Sequence, residues 1–264
     1  MSTGTVLDEI IAGVRADMAA RVVRTAPSRL EAVIEAMGPT IDPRPHLRSA
    51  ESVRVIAEVK RSSPSKGPLA EIPDPAGRAR AYERGGAGAV SVLTERRRFG
   101  GRLEDLVAVR AGVRVPVLRK DFIVDPYQVL EARAAGADLI LLIVAALDDA
   151  TLRALYDQAT GLGLLPLVEV HTPDEARRAA DLGAELIGVN NRDLRTLDVD
   201  LSRFERMVGL VPAGAITVCE SGILTIADVV RAHDAGADTV LVGEMLVRSS
   251  DPAAAVRSMM AATG

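Results

Sequence analysis

A single cysteine, Cys219, in 264 residues excludes an internal disulfide framework and a cysteine-built metal cluster, and it suits a reducing compartment. Neither sign of charge dominates: 32 basic against 36 acidic residues leave a net charge of -4, so nothing draws the whole chain to nucleic acid or to anionic lipid. Long apolar runs are missing as well. The longest, Leu139 to Leu147, falls far short of the roughly 20 residues a membrane span needs. The first residues mix acids with apolar side chains and lack the basic start and apolar centre of a signal peptide. These absences predict a cytoplasmic protein without membrane or nucleic-acid partners. The three histidines, His46, His171 and His233, show no ligand spacing, so no metal is expected. No glycine-rich fingerprint of the dinucleotide or P-loop kind stands between a strand and a helix. What is present is ordinary for a globular chain, with 48% hydrophobic and 26% charged residues.

A repeat organises the sequence. "GAGAV" at Gly86, "GADLI" at Gly136, "GAELI" at Gly183 and "GADTV" at Gly236 each read as a helix ending on a left-handed glycine and running into a buried strand. The spacing of roughly fifty residues holds two strand–helix units per period, given connections of about 2 to 6 residues. The intervening strands fall at Val53–Lys60, Val115–Lys120, Leu164–Val170 and Ala215–Glu220, which makes eight. Helix starts are marked at Asp74-Pro75, Asp125-Pro126, Thr172-Pro173 and Asp251-Pro252 by a capping side chain before a proline at the first helical position. Gln128 and Glu175 are placed to complete capping boxes. Apolar strands alternating with helices require a parallel sheet covered by helices, and eight units predict a closed (β/α)8 TIM barrel of the α/β class, with a doubly wound open sheet as the alternative. Residues 1–50 stand outside the repeat. They carry one helical stripe from Val6 to Met18 and a second helix from Ser28 to Met37, with Ser28 and Glu31 as its capping box. The expectation is one domain over 1–264, with 1–50 as an N-terminal helical extension.

Active sites in such barrels sit where the strands end. The first strand ends in Glu58 and Lys60, two residues apart and so on one side; the third ends in Lys120, the fifth in Glu169, the sixth in Asn190 and the seventh in Glu220. Any one of these alone reads as a solvated rim charge. Together they crowd lysines and glutamates at one partly desolvated mouth, where proton affinities shift toward useful ranges. Salt bridges at the mouth are the bland alternative. Arg61, Arg119 and Arg192 lie beside these positions, the first two reading as solvent-facing. After the last two strands come "SGI" at Ser221 and "VGE" at Val242, in the loops that frequently hold phosphate in this architecture. "SSPSKG" at Ser62–Gly67 is a hydroxyl-rich loop able to close on a ligand. Cys219 reads as a small buried thiol.

The stretches Ile56–Gly67, Pro116–Gln128, Leu165–Thr172, Ile187–Leu194 and Cys219–Ile223 resemble, in order and across nearly the whole chain, the indole-3-glycerol phosphate synthase family. That resemblance implies a (β/α)8 barrel with an N-terminal helical extension and a lyase of tryptophan biosynthesis. Its reaction turns 1-(2-carboxyphenylamino)-1-deoxyribulose 5-phosphate into indole-3-glycerol phosphate, carbon dioxide and water, with no cofactor or metal. It implies that Lys120 is the acid for ring closure and that Lys60, Glu58 and Glu169 share the later acid and base work. Lys60 could also hold the substrate carboxylate, and Glu169 could donate a proton or stabilise positive charge on nitrogen. Asn190 would position, Ser63, Ser221, Gly222, Gly243 and the Glu244 backbone would take the phosphate, Phe99 and Phe122 would flank the aromatic ring, and Arg192 and Glu220 would complete the substrate site. With aromatics at 2% of the chain, two beside one site are a mild independent sign. Arg98 stands where relatives often place an aromatic, which would make that wall more polar. The partner expected is a small phosphosugar; the chain is expected to be a monomer, with association with enzymes of its pathway left open. Two other readings are a Schiff-base aldolase or isomerase using Lys60 or Lys120 as the amine, and an inert phosphosugar-binding barrel.

Overall fold

The computed structural model describes residues 5–63, 66–194 and 196–264. Its principal strands are β1 (Arg54–Val59), β2 (Ala89–Leu93), β3 (Val117–Lys120), β4 (Leu139–Ile143), β5 (Leu165–Val170), β6 (Leu186–Asn190), β7 (Ile216–Glu220) and β8 (Thr239–Val242). Each pairs in parallel with the next in sequence, and β8 returns to β1, so the sheet closes into a barrel. Closure overturns the open doubly wound alternative. Before the barrel come α1 (Val6–Arg24), α2 (Pro27–Glu35) and α3 (Arg44–Leu47). After the successive strands come α4 (Pro75–Arg84), α5 (Leu103–Gly112), α6 (Pro126–Ala134), α7 (Asp149–Gly161), α8 (Pro173–Leu182), α9 (Ser202–Met207), α10 (Ile226–Asp234), the short α11 (Glu244–Val247) and α12 (Pro252–Ala261). No described helix is long and apolar enough to cross a membrane.

The joints follow from local chemistry. The repeat glycines Gly86, Gly136, Gly183 and Gly236 all take positive φ, at 94°, 90°, 79° and 108°, the left-handed turn that lets a helix stop and a strand begin. Asp74, Asp125, Thr172 and Asp251 each cap a helix through the side chain, with proline at the first turn. The capping boxes differ from expectation. Gln128 and Glu175 reach past the cap residue to the backbone N–H groups of Val124 and His171, at 2.9 and 2.7 Å. Ser28 lies inside α2, which starts at Pro27 behind an uncapped Ala26, because the fixed φ of proline sets the first turn. The box that does form at the N-terminus joins Thr5 and Asp8 at the start of α1.

The extension runs from one end of the barrel to the other. Leu7, Ile10 and Val14 of α1 are buried, and Val6, Leu7 and Ile10 line a small pocket with Lys60, Phe99 and Phe122 at the strand ends, so α1 lies over the mouth. Arg97 and Arg98, in the loop after β2, hold α1 through Asp17 and Glu9, both at 2.7 Å. Further along, α2 packs on α6. Thr40 then bonds the Gly163 carbonyl at 2.5 Å and the Ile41 N–H donates to Asp138 at 2.8 Å. Leu47 of α3 is fully buried, its carbonyl accepting from Thr239 at the start of β8 at 2.5 Å, so this segment closes the opposite end.

Arg119 faces away from solvent, against expectation: it is 1% exposed. Lys120 points inward, so its neighbour on the strand points out of the barrel, where Arg119 meets Asp121 at 3.1 Å and Glu131 of α6 at 3.2 Å. Glu131 also binds Arg21 of α1 at 2.6 Å. Arg61 is likewise engaged, with Asp105 and the Ile72 carbonyl.

Candidate active site

A cavity of about 620 Å³ opens at the strand ends, lined among others by Glu58, Lys60, Lys120, Glu169, Asn190 and Glu220. These side chains meet because each occupies an inward position of a different strand, and the period of two along a strand puts Glu58 with Lys60 on one wall. Register supplies the rest: Glu169 lies level with Gly188, and Asn190 with Glu220. Gly188 has a steric reason to be glycine, since a Cβ there would stand 2.0 Å from Glu220 Oε1.

At the floor, Lys120 Nζ lies 3.3 Å from Glu169 Oε2 and 3.1 Å from Glu220 Oε2. Burial opposes the Lys120 ammonium, yet Glu220, Glu169 and Glu58 more than restore it, so the lysine holds its proton well above the usual range. Burial also works against the Glu169 charge, but Lys120, His171 and Asn190 keep its carboxyl well below normal. Glu220 goes the other way: burial, reinforced by Glu169, pushes it up to about 8 despite Lys120. Its contact with Lys120 is off the line of a hydrogen bond, leaving both Glu220 oxygens buried without an aligned donor. On the neighbouring wall Lys60 Nζ stands 3.4 Å from Glu58 Oε1 and 5.9 Å from the Phe99 ring centre. Phe99 and Phe122 face each other at 6.1 Å between centroids, tilted by 40°, leaving an apolar slot beside two ammonium groups.

The opposite rim is built from the loops after β7 and β8. Ser221 and Gly222 both take the left-handed conformation, φ 64° and 84°, and holding a non-glycine residue there costs roughly 1–2 kcal/mol. Asn191 Nδ2 steadies the turn by donating to the Ser221 carbonyl at 3.1 Å. A Cβ on Gly222 would meet Val199 at 2.8 Å, and one on Gly243 would meet Glu58 Oε1 at 2.7 Å. The Glu244 carboxylate turns to Lys66 at 2.7 Å and Arg248 at 3.3 Å, leaving the short α11 to present backbone. Lys66 lines the same rim and was not singled out in its loop. Arg192 spans the cavity and the small pocket under α1, donating to the Leu197 carbonyl at 2.8 Å. Ser63 lines only that small pocket, its hydroxyl accepting from the Lys66 N–H at 3.2 Å; Pro64 and Ser65 of the same loop lie outside the described residues.

Arg98 points to Glu9 on α1 and does not line the cavity, so the ring slot is not made polar by it. Its loop is organised by Glu95, whose carboxylate accepts the N–H groups of Arg97, Arg98 and Phe99 at 2.8, 2.7 and 3.0 Å. Besides Lys66, two further groups are not legible in the sequence. Asp121 lines the cavity but is engaged by Thr94, Arg119 and the Phe122 N–H. His171, set aside as scattered, has Nε2 3.2 Å from Glu169 Oε1; the signal was its position two residues after Glu169 on the same side of the chain. Cys219 is fully buried, its thiol pushed up to about 12 by burial.

Comparison with known proteins bears on the fold and the family. The solved structures of 3-hexulose-6-phosphate synthase from Salmonella typhimurium (TM-score 0.66, 17% identity, 80% of this chain and 98% of that one) and of thiamine phosphate pyrophosphorylase from Pyrococcus furiosus (TM-score 0.60, 17% identity, 83% and 96%) share the fold. In sequence, the chain is 59% identical to an indole-3-glycerol phosphate synthase of a Nocardioides species, over 97% of this chain and 98% of the relative. It is 54% identical to that of Mycobacterium tuberculosis, over 99% and 96%. The family model for indole-3-glycerol phosphate synthase matches residues 7–259, and with relatives this similar over their whole length, the chain belongs to the indole-3-glycerol phosphate synthase family.

Proposed function

We propose that the chain binds 1-(2-carboxyphenylamino)-1-deoxyribulose 5-phosphate with its aromatic ring between Phe99 and Phe122, its phosphate on the backbone of Ser221, Gly222, Gly243 and Glu244, and its ketone at Lys120. The ring carbon bearing the carboxylate attacks the ketone, and Lys120 delivers a proton to the oxygen as negative charge develops there. Loss of carbon dioxide restores the aromatic ring. The hydroxyl then leaves as water with a second proton, while a base removes a proton from the methylene carbon beside nitrogen. Lys60 meets the substrate carboxylate and serves as acid in this second stage, Glu58 and Glu169 supply the carboxylates, and Asn190 keeps Glu169 in place. Lys66 reaches the phosphate from the loop after β1, with the Ser63 hydroxyl holding the Lys66 N–H behind it, and Arg192 closes the site from the loop after β6.

The observation that carries the assignment is the ammonium of Lys120 between Glu169 and Glu220, at the floor of a cavity with phenyl rings on one side and a glycine-built rim on the other. An aldolase would need a neutral lysine, and both carboxylates oppose that. The chain works as one domain, since α1 lies over the same cavity that the barrel supplies. Purified protein incubated with the substrate should develop indole fluorescence, which the chain does not mask because it has no tryptophan. Lys120→Ala should lower kcat by about 10²–10⁴-fold with substrate affinity largely kept. Near-normal turnover by that variant would end the assignment of the acid.

A further inference from the structure

Glu169 and Glu220 approach the same ammonium from two strands, at 3.3 and 3.1 Å. One cation and two carboxylates held away from water carry excess negative charge, and such a cluster relieves it by keeping one proton on the pair. Distance to Lys120 does not decide which carboxylate holds it, because the two distances are nearly equal. Their other neighbours do differ. Glu169 Oε1 receives Asn190 Nδ2 at 2.9 Å and lies 3.2 Å from His171 Nε2. Glu220 has no aligned donor and faces the bare backbone of Gly188; His171 Nε2 makes no aligned hydrogen bond either, so the imidazole acts on Glu169 through its charge at 3.2 Å, beside the Asn190 hydrogen bond.

His171 is itself clamped. Its side chain is 9% exposed, and Nδ1 lies 3.2 Å from Glu175 Oε2. The same Glu175 oxygen takes the His171 backbone N–H at 2.7 Å, which fixes the start of α8 against the end of β5. The titratable groups acting on the imidazole are therefore Glu169 from its own strand and Glu175 from α8, with Lys120 of β3, Glu220 of β7 and Glu58 of β1 behind Glu169. A ring between two carboxylates is favoured as the imidazolium.

We infer that His171 is a positioning residue that decides which of the two carboxylates around Lys120 keeps its charge, holding Glu169 ionised and leaving Glu220 as the carboxyl that carries the proton. The inference rests on the proposed role of Lys120. It also fits the proton balance of that reaction. The substrate carboxylate departs as neutral carbon dioxide and the hydroxyl as water, so two protons are delivered, one is removed from carbon, and each turnover takes up one net proton. When Lys120 has given its proton to the ketone oxygen, the Glu220 proton moves to the Lys120 amine, and solvent later refills Glu220. Imidazole close to 9 and Glu220 close to 8 agree with this division.

The test is His171→Asn, which keeps a polar side chain and removes the cation. The acid limb of the kcat–pH profile should move up by about one unit, the alkaline loss near pH 9 should disappear while the loss near 8 that belongs to Glu220 remains, and KM should stay within about twofold; His171→Lys, restoring a cation, should return the acid limb toward its original place. A uniform fall in kcat with both limbs unmoved would mean a structural role only and would overturn the inference. Histidine NMR gives a readout that needs no turnover. With three histidines in the chain, the resonance lost in His171→Asn identifies the residue, or, should that variant not fold, the resonance shifted in Glu175→Gln. It should titrate near 9, and clearly lower in Glu169→Gln; titration near the ordinary value of about 6.5 would also overturn the inference. Wild-type protein that formed no indole product would instead refute the reading of the reaction.

Discussion

Asp138 and Asp238, at the end of the barrel where the strands begin, are acids of the same kind as Glu169 and Glu220 at the other end, but their partners differ. Asp138 accepts the N–H groups of Ile41 and Val117 at 2.8 and 2.9 Å and pairs with Arg110 at 2.6 Å. Asp238 takes the N–H and hydroxyl of Thr217 at 2.8 and 3.0 Å. Those carboxylates are saturated by donors that do not move, so their charge is spent on joining the extension and the strands. Glu169 and Glu220 share one lysine, and Glu220 lacks an aligned donor. A carboxylate left incompletely paired in a dry cavity changes its proton affinity. The lower end converts charge into stability, and the upper end keeps it available for chemistry.

Neutralising the two kinds of acid should separate activity from stability. Glu169→Gln should lower kcat by about 10²–10⁴-fold and also lower the melting temperature, because Lys120 and His171 lose a buried carboxylate. Asp138→Ala should leave kcat near normal while destabilising the fold by about 3–5 kcal/mol, because it strands Arg110, the buried Val117 N–H and the half-buried Ile41 N–H; thermal melts beside steady-state assays separate the two, and a stable but inactive Asp138→Ala would break the comparison. Gly188→Ala tests the upper end without touching a charge. Its Cβ would occupy the place of Glu220 Oε1, and displacing a side chain of the proton chain by about 1 Å should cost up to about 10²-fold in kcat.

A smaller effect comes from pH. His171 is raised to about 9, so its stabilising contribution is complete below the unfolded value of about 6.5 and is lost as pH rises through about 9. Glu220, raised to about 8, loses stability in the same direction. Between pH 7 and 10 wild-type protein should therefore lose about 2 kcal/mol more than His171→Asn, measured as the difference between their denaturation curves; identical curves would refute the charge on His171. The smallest effect belongs to Arg98→Ala. Its pair with Glu9 is half exposed, with side chains 43% and 62% accessible, which limits it to less than about 1 kcal/mol, and KM should not move because the side chain lies outside the ring slot.

The elements themselves were legible because their signals are local: a left-handed glycine after a helix, an aspartate before a proline, an apolar strand between. The same locality explains the misreadings. Ser28 with Glu31 has the pattern of a capping box, but Pro27 had already fixed the first turn. Arg119, polar and next to a candidate acid, reads as solvent-facing until α6 supplies Glu131 from across the strand. His171 has no ligand spacing along the chain, yet it stands beside Glu169 because alternate residues share one side of a strand.

Sequence by itself determined the eight strand–helix units, their glycine and aspartate joints, and which charged residues end the strands, since all of these depend on contacts within a few residues. Tertiary structure alone decided that the sheet closes, that α1 lies over the mouth, and that Lys120 has two carboxylate neighbours of which one is held by His171 and Asn190. Those outcomes depend on strand register and on distances between residues far apart in the chain, and the energy of a charge is set by such neighbours and by exclusion of water.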